Sequence, residues 1–325
     1  RAREPSGTER ASHQAPSARV IGHSGHMIAY GFSEYGGPET EYLLDVPMPE
    51  PGAGQILVAV HVAGVNPADW KVRAGNRKDT VPITLPAVLG REVSGTVVET
   101  GSGVDEFTVG DEVFGATASG HGGYAQYTVL NASSSAHKPD SVSWSAAATL
   151  PVAAGTAYDV LRGLALVSGS TLLVLGAGGG VGSSVLQLAR AKGIEVLAVA
   201  GAGKQEWVEY LGAEFVAAGP QYIDSISRPV HGIVDLVGGE TLRAAAEKTG
   251  APVVSVADPV QATQWGGSGA HRDRTTAAFT HLAELVATGV LSPRIDHVFP
   301  LERAGEALAL VEDGHTLGKV VVQVR

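Results

Sequence analysis

Residues 171–190, TLLVLGAGGGVGSSVLQLAR, combine residue types that hold an anion. The apolar run 172–175 is followed by a glycine cluster, and Val181, Val185, Leu188 and Ala189 then recur at helical spacing, so the stretch reads as strand, tight turn and helix. Such a turn suits a nucleotide pyrophosphate: glycines let the backbone approach the phosphates, and the helix start offers unpaired N–H groups and the positive end of its dipole. Counted back from Gly182, the turn is Ala177-Gly178-Gly179-Gly180-Val181-Gly182, with alanine at the first of the usual three glycine positions. A plain glycine-rich loop shares part of this pattern, so the reading depends on what surrounds it.

Composition narrows the remaining chemistry. The 325 residues suffice for two domains, each with its own core. The chain has no cysteine, which removes disulfides, thiolate catalysis and cysteine-ligated zinc, and a cytoplasmic location fits that composition. A net charge of −10 with scattered basic residues argues against a nucleic-acid partner. No apolar run approaches the roughly 20 residues that cross a bilayer, so no membrane partner is expected.

The elements that must position the turn fall into two patterns. Residues 1–26 are rich in Arg, Ser, His, Ala and Pro with almost no apolar periodicity, and Ser24-Gly25-His26 resembles a cloning remnant. This stretch reads as a flexible leader or remnant, or a mis-called start, with a functional arm as the weaker alternative. Residues 27–149 show short strands punctuated by Gly and Pro, at 56–63, 93–99, 112–115 and 124–129. Residues 150–288 alternate strands (171–175, 195–200, 214–217, 232–237, 252–257) with helices (183–192, 204–211, 241–248), the rhythm of a parallel sheet covered on both faces. Residues 289–325 return to a strand at 295–299, a helix at 301–312 and a strand at 319–324. An α/β chain results: a β-rich domain from 27–149 and 289–325 flanks a doubly wound nucleotide domain, and the cleft between them is the natural site.

The motifs carry a family resemblance over nearly all of residues 27–325. YGGPE (35–39), VPMPEPGAGQILV (46–58), VNPADWKVRAG (65–75), LGREVSGTVVETGSGV (89–104), GDEVFG (110–115), GGYAQY (122–127), LPVAAGTAY (150–158), VDLVGG (234–239) and the C-terminal FPLERAGEALALVEDGHTLGKVVVQV occur in order. In these the chain resembles the zinc-independent quinone oxidoreductases of the medium-chain dehydrogenase/reductase superfamily. The resemblance implies a GroES-like catalytic domain beside the Rossmann domain, and a homodimer. Zinc-dependent relatives place a metal where this chain has Asn66, Arg91 and Val152, none of which suits a cation, so no metal ligands are expected.

Without a metal or a covalent nucleophile, the economical reaction is hydride transfer from NADPH to a conjugated acceptor, a quinone or an enone. Asn66 is the first candidate to touch nicotinamide or substrate, although Asn66-Pro67 followed by Asp69 also makes a good helix start. Arg73 could steer a carbonyl or carboxylate, and Tyr124 could donate the proton or pack a strand edge. Lys71 stands where relatives often have tyrosine. The resemblance sets Thr156 against the nicotinamide and Gly178, Gly179, Gly180 and Val181 under the pyrophosphate, with Gly201, Val237, Gly238, Val256 and Lys319 completing the cofactor contacts. The second nucleotide strand ends in Val199-Ala200-Gly201-Ala202-Gly203-Lys204 with no carboxylate to oppose a 2′-phosphate, and Lys204 could pair with one, which favours NADPH. The polar, Gly-rich run 263–276 is a poor strand where relatives pair into dimers, and it could cover the cleft. A pathway-specific enoyl or enone reductase, and a low-turnover NADPH-binding protein of the crystallin kind, are the alternatives.

Overall fold

The computed structural model describes residues 25–76, 78, 79, 82–314 and 316–325. The expected leader over 1–26 lies outside the described residues except for Gly25 and His26, and His26 already pairs with Pro47 in a strand. The first half contains β1 (His26–Phe32), β2 (Glu41–Pro47), β3 (Gln55–Gly64), α1 (Pro67–Arg73), β4 (Ala87–Val88), β5 (Glu92–Thr100), β6 (Glu112–Thr117), β7 (Tyr127–His137) and α2 (Trp144–Ala147). A π-helical turn, Leu150–Ala154, leads into α3 (Gly155–Leu164). Then come β8 (Thr171–Leu175), α4 (Gly180–Ala191), β9 (Glu195–Ala200), α5 (Gln205–Tyr210), β10 (Glu214–Ala217), β11 (Gly232–Asp235), α6 (Gly239–Thr249) and β12 (Val253–Ser255). The chain ends with α7 (Pro259–Ala262), β13 (Ser268–Gly269), α8 (Thr276–Ala287), β14 (Ile295–Pro300), α9 (Ala304–Glu312) and β15 (Lys319–Gln323).

β8 sits in the middle of a parallel sheet of order β10-β9-β8-β11-β12-β13. All five of its residues are buried, as an unbroken apolar run requires when helices cover both faces. On one face Val160 and Leu161 of α3 and Val185 and Leu188 of α4 pack over Leu172 and Val174; on the other, Leu242 and Ala245 of α6 meet Leu173 and Leu175.

The β-rich part is a sheet of order β14-β15-β3-β5-β6-β7 that closes on itself, because β7 also pairs with β3. A small sheet, β2-β1-β4, lies beside it. β15 joins antiparallel to β3, so the C-terminal strands extend a barrel built by the first half of the chain. Phe279 and Leu282 of α8 pack with Phe114, Ala136 and Leu150, binding the two parts through an apolar contact.

Two local expectations are corrected. The strand expected at 124–129 begins at Tyr127 and runs to His137. Tyr124 crosses the barrel mouth instead, its N–H donating to the Leu89 carbonyl and its carbonyl accepting from the Tyr30 N–H, which takes it out of the β7 ladder. Within 263–276 two residues, Ser268 and Gly269, do form a strand, parallel to β12 at the sheet edge.

Candidate active site

The glycine turn has the geometry its sequence calls for. Gly176 and Ala177 both donate to the Val199 carbonyl at 3.0 Å, which turns the chain sharply out of β8. Gly182 packs so closely on the Ala177 backbone that a Cβ would come within 2.5 Å of its carbonyl oxygen, which seats α4 against the strand. Gly179 is open, with nothing within 4 Å of an added Cβ, and the N-terminal N–H groups of the 12-residue α4 start beside it. Gly178 is covered by the side chain of Lys204, and Gly180 by that of Lys319. Val181 is partly buried against the helix core.

The rest of the cofactor wall follows from strand ends. Gly201, after β9, is open, and no carboxylate stands beside it in the sequence up to Lys204. Burial holds the Lys204 ammonium below its ordinary range, with Asp296 acting in the opposite sense. Asp235 is fully buried; its Oδ1 accepts from the N–H groups of Val237 and Gly238, and its Oδ2 from the Ser255 hydroxyl. It therefore shapes the turn after β11. Val237 is half exposed there, Gly238 takes φ +79°, and Val256, partly buried, donates its N–H to the Asp235 carbonyl. These residues form an open, largely uncharged bed with a helix N-terminus at one end and one lysine over it, which fits a phosphorylated dinucleotide.

On the barrel side, two of the three positions that hold metal in zinc-dependent relatives, Asn66 and Val152, are drawn into a buried network around Glu92, while the third, Arg91, pairs with Asp69. Asn66 Nδ2 donates to Glu92 Oε1 at 2.8 Å, the Val152 N–H donates to Glu92 Oε2 at 2.7 Å, and Lys319 Nζ donates to Glu92 Oε1 at 2.9 Å. Lys319 Nζ also donates to Asn66 Oδ1 and to the Val65 carbonyl, each at 2.7 Å. Its three ammonium donors are thus matched by three acceptors. Lys319 accordingly touches the glycine turn with its stem and the vacated ligand position with its charge. Among the described residues no group of three or more His, Asp or Glu is arranged to hold a metal ion.

Asp69 lies behind Asn66 and organises the helix start. Its Oδ2 accepts from the Asn66 N–H at 2.9 Å and from the Tyr124 hydroxyl at 2.9 Å, and Arg91 Nε stands 3.5 Å from its Oδ1. Burial raises the Asp69 pKa to about 6, against the pull of Arg91. Gly90, at φ +88°, is what admits the Tyr124 ring, since a Cβ there would collide with it.

Two expected site residues, Tyr124 and Arg73, are buried in structural contacts, and a third, Thr156, has its hydroxyl engaged. Tyr124 is fully buried, with its hydroxyl donating to Asp69 at 2.9 Å; burial first and the Asp69 charge next push its pKa well up. Arg73 is 1% exposed and does not reach the cleft: Nη1 donates to Glu41 at 2.6 Å and Nη2 to both oxygens of Glu312 at 2.9 and 2.7 Å. It clamps α1 to α9 and to β2. Thr156 is buried, and its hydroxyl oxygen accepts from Arg272.

That contact shows where the 263–276 run goes. α3 runs against the strand direction, with Leu164 over Gly232 at the beginning of β11, so Thr156 lies at the strand C-terminal ends where ligands bind in open α/β sheets. Beyond β13 the chain lies along α3, with the Asp273 N–H donating to Asp159 and Arg162 paired to Asp273 at 2.7 Å. It then reaches the barrel, where Ser134 donates to the Arg274 carbonyl and Thr276 to the Ala132 carbonyl. Sequence reasoning missed Glu92 and Arg272 as members of this neighbourhood and read Asp69 only as part of the helix start after Asn66. The signal for Glu92 was its place beside the vacated position in Gly90-Arg91-Glu92; nothing local marked Arg272.

Comparison with known proteins agrees with this arrangement. Residues 52–140 match the family model of the alcohol dehydrogenase GroES-like domain, and residues 202–322 that of zinc-binding dehydrogenase. The chain is 31% identical over 331 residues to 2-methylene-furan-3-one reductase of Solanum lycopersicum, covering 96% of this chain and 84% of that protein. It is 32% identical over 312 residues to the chloroplastic NADPH-dependent alkenal/one oxidoreductase of Arabidopsis thaliana, covering 91% and 79%. The solved quinone oxidoreductase of Coxiella burnetii superposes with a TM-score of 0.86 at 30% identity, covering 92% of this chain and all of that one. The chain belongs to the quinone oxidoreductase group of the medium-chain dehydrogenase/reductase superfamily. It is an oxidoreductase with a GroES-like β-rich domain and a Rossmann-like parallel-sheet domain.

Proposed function

We propose that the protein is an NADPH-dependent, zinc-independent reductase of quinones or α,β-unsaturated carbonyls. The observation that carries this reading is Lys319, whose stem lies on Gly180 of the glycine turn while its ammonium is held by Asn66 and Glu92 at the vacated ligand position. A dinucleotide on the turn therefore brings its reactive end toward a place where Asn66, Arg91 and Val152 offer no metal ligation. When bound, NADPH supplies hydride, which suits an acceptor already polarised by conjugation.

The chain's own residues do the rest. The α4 N-terminus and Lys204 receive phosphates, and the open glycines Gly179 and Gly201 let the backbone come close. Lys319 and Glu92 fix the Asn66 amide, leaving it no rotational freedom. The names of the relatives support quinone and enone acceptors, and the absence of a carboxylate between Ala200 and Lys204 supports NADPH over NADH. A homodimer and a cytoplasmic location are proposed on the family resemblance and the cysteine-free composition, with light scattering and cell fractionation as their tests.

The testing experiment is NADPH oxidation against a panel of quinones and enones, with NADH in parallel and EDTA present. Turnover with NADPH that survives chelation is the expected result. NADPH binding without reduction of any acceptor would overturn the general reductase reading in favour of a low-turnover binding role.

A further inference from the structure

The residues just before β14 are held against the glycine turn. Gly318 pairs with Gly179 in an isolated parallel bridge, and a Cβ on Gly318 would meet Arg294 Cβ at 3.0 Å and Cγ at 3.2 Å, so the Arg294 stem crosses the strand that touches the turn. The Arg294 carbonyl accepts from the Lys319 N–H at 2.8 Å. Arg294 also lines a small gap with Gly180, Ser183 and Lys319.

Its guanidinium lies over the Trp207 ring, 4.9 Å from the centroid. Trp207 Nε1 in turn donates to the Ser183 hydroxyl at 3.0 Å, in the first turn of α4. Trp207 follows Lys204 by three residues at the start of α5, a spacing that makes the two neighbours on one helix face. The Lys204 stem covers Gly178, and Asp296, two residues beyond Arg294, acts on its ammonium. The two cations therefore stand side by side next to the glycine turn.

Arg294 has donors to spare there. An aromatic ring attracts a guanidinium without taking up its N–H fork, and among the described residues Arg294 makes no ion pair and no side-chain hydrogen bond. Asp296 is occupied elsewhere: its Oδ2 accepts from the Leu317 N–H at 2.8 Å and stands 3.4 Å from His297 Nδ1. A fork of N–H donors held in place by stacking, beside an ammonium, matches a phosphate group.

We infer that Arg294 is a specificity-determining residue for the cofactor, its guanidinium gripping the 2′-phosphate of NADPH from the barrel side while Lys204 grips it from the glycine-turn side. This rests on the NADPH reading above. The phosphate that distinguishes NADPH from NADH then joins the two parts of the molecule, because Lys204 follows β9 of the parallel sheet and Arg294 leads into β14 of the barrel sheet.

The test titrates wild type, Arg294→Ala and Arg294→Lys with NADPH and NADH by fluorescence, and with 2′,5′-ADP and 5′-AMP by calorimetry, a pair that differs only in the 2′-phosphate. Loss of one charge-assisted contact should weaken NADPH and 2′,5′-ADP about tenfold in R294A and leave NADH and 5′-AMP within about twofold. R294K, which keeps the charge without the fork, should fall between wild type and R294A. Adding Lys204→Ala to R294A should leave NADPH no tighter than NADH, because both cations are then gone. A merely structural arginine would weaken all four ligands together, and that result overturns the inference, as does an R294A that keeps the full wild-type preference. Should R294A not fold, Arg294→Gln, whose stem still covers Gly318, carries the same comparison. If wild type itself binds NADPH no tighter than NADH, the NADPH reading falls instead.

Discussion

Lys319 Nζ donates to Asn66 Oδ1 across 2.7 Å while its Cδ lies against Gly180, so one side chain joins the vacated ligand position to the start of the anion-binding helix. The two ends of the chain meet there, since Asn66 and Lys319 are 253 residues apart. The ammonium is matched by the fully buried Glu92.

Removing that ammonium leaves Glu92 without its cation in the interior. Lys319→Met is expected to cost about 3 to 5 kcal/mol of stability, the scale for breaking a buried pair. Adding Glu92→Gln should recover more than half of the loss. Urea titration of the two variants checks this; an equal loss in both would mean that Lys319 acts through packing on Gly180.

Lys204 lies over Gly178, and nothing anionic in the sequence between Ala200 and Lys204 opposes a 2′-phosphate. Lys204→Ala should weaken NADPH about tenfold, or about 1.4 kcal/mol, and leave NADH little changed. The effect should shrink as salt rises, because an ion pair open to solvent is screened. Fluorescence titration with both cofactors at two ionic strengths reads it, and an equal loss for both would remove Lys204 from 2′-phosphate selection.

Arg73 joins Glu41 and Glu312 in the interior, with the Tyr30 hydroxyl donating to Glu41. Arg73→Met should therefore cost about 3 to 5 kcal/mol of stability, because Glu41 is left buried without its cation. Cofactor affinity and turnover per folded molecule should stay within about twofold. Chemical denaturation beside active-site titration separates the two, and a selective loss of turnover would return Arg73 to the cleft.

Asp69 carries a raised pKa, about 6 in the folded protein against an ordinary value of 3.8. Its contribution to stability is thus fully present below the unfolded value and is lost as pH rises through the folded one. Relative to Asp69→Asn, wild type should lose about 2 kcal/mol between pH 4 and pH 7, because part of the shift of roughly two pKa units at 1.36 kcal/mol each is already spent at pH 4. Denaturation midpoints of the pair across that range check the sign, and a constant difference would show that Asp69 does not titrate there.

Much of the fold was legible because its signals are short in range. The strands expected at 171–175, 195–200 and 214–217 fall where β8, β9 and β10 are found, each an apolar stretch bounded by turn residues. The glycine turn was equally plain, since close approach and sharp turning demand glycine locally. Tyr124 misled for the same reason: Gly122-Gly123-Tyr124 looks like a strand entry, but its pairing is with Leu89 and Tyr30, far away in sequence.

The sequence by itself determined the order of elements, the anion-binding turn, the loss of metal-ligand side chains and the family, because periodicity, turn chemistry and motif spacing are written within a few residues. Only the tertiary structure decided which charges are spent and on what. Arg73 looked available until Glu312, 239 residues away, was brought against it. Asn66 looked free until Lys319 and Glu92 engaged both ends of its amide. The physical reason is that an ion pair or a buried hydrogen bond depends on through-space distance and desolvation, and closing the barrel with strands from both chain ends is what sets them.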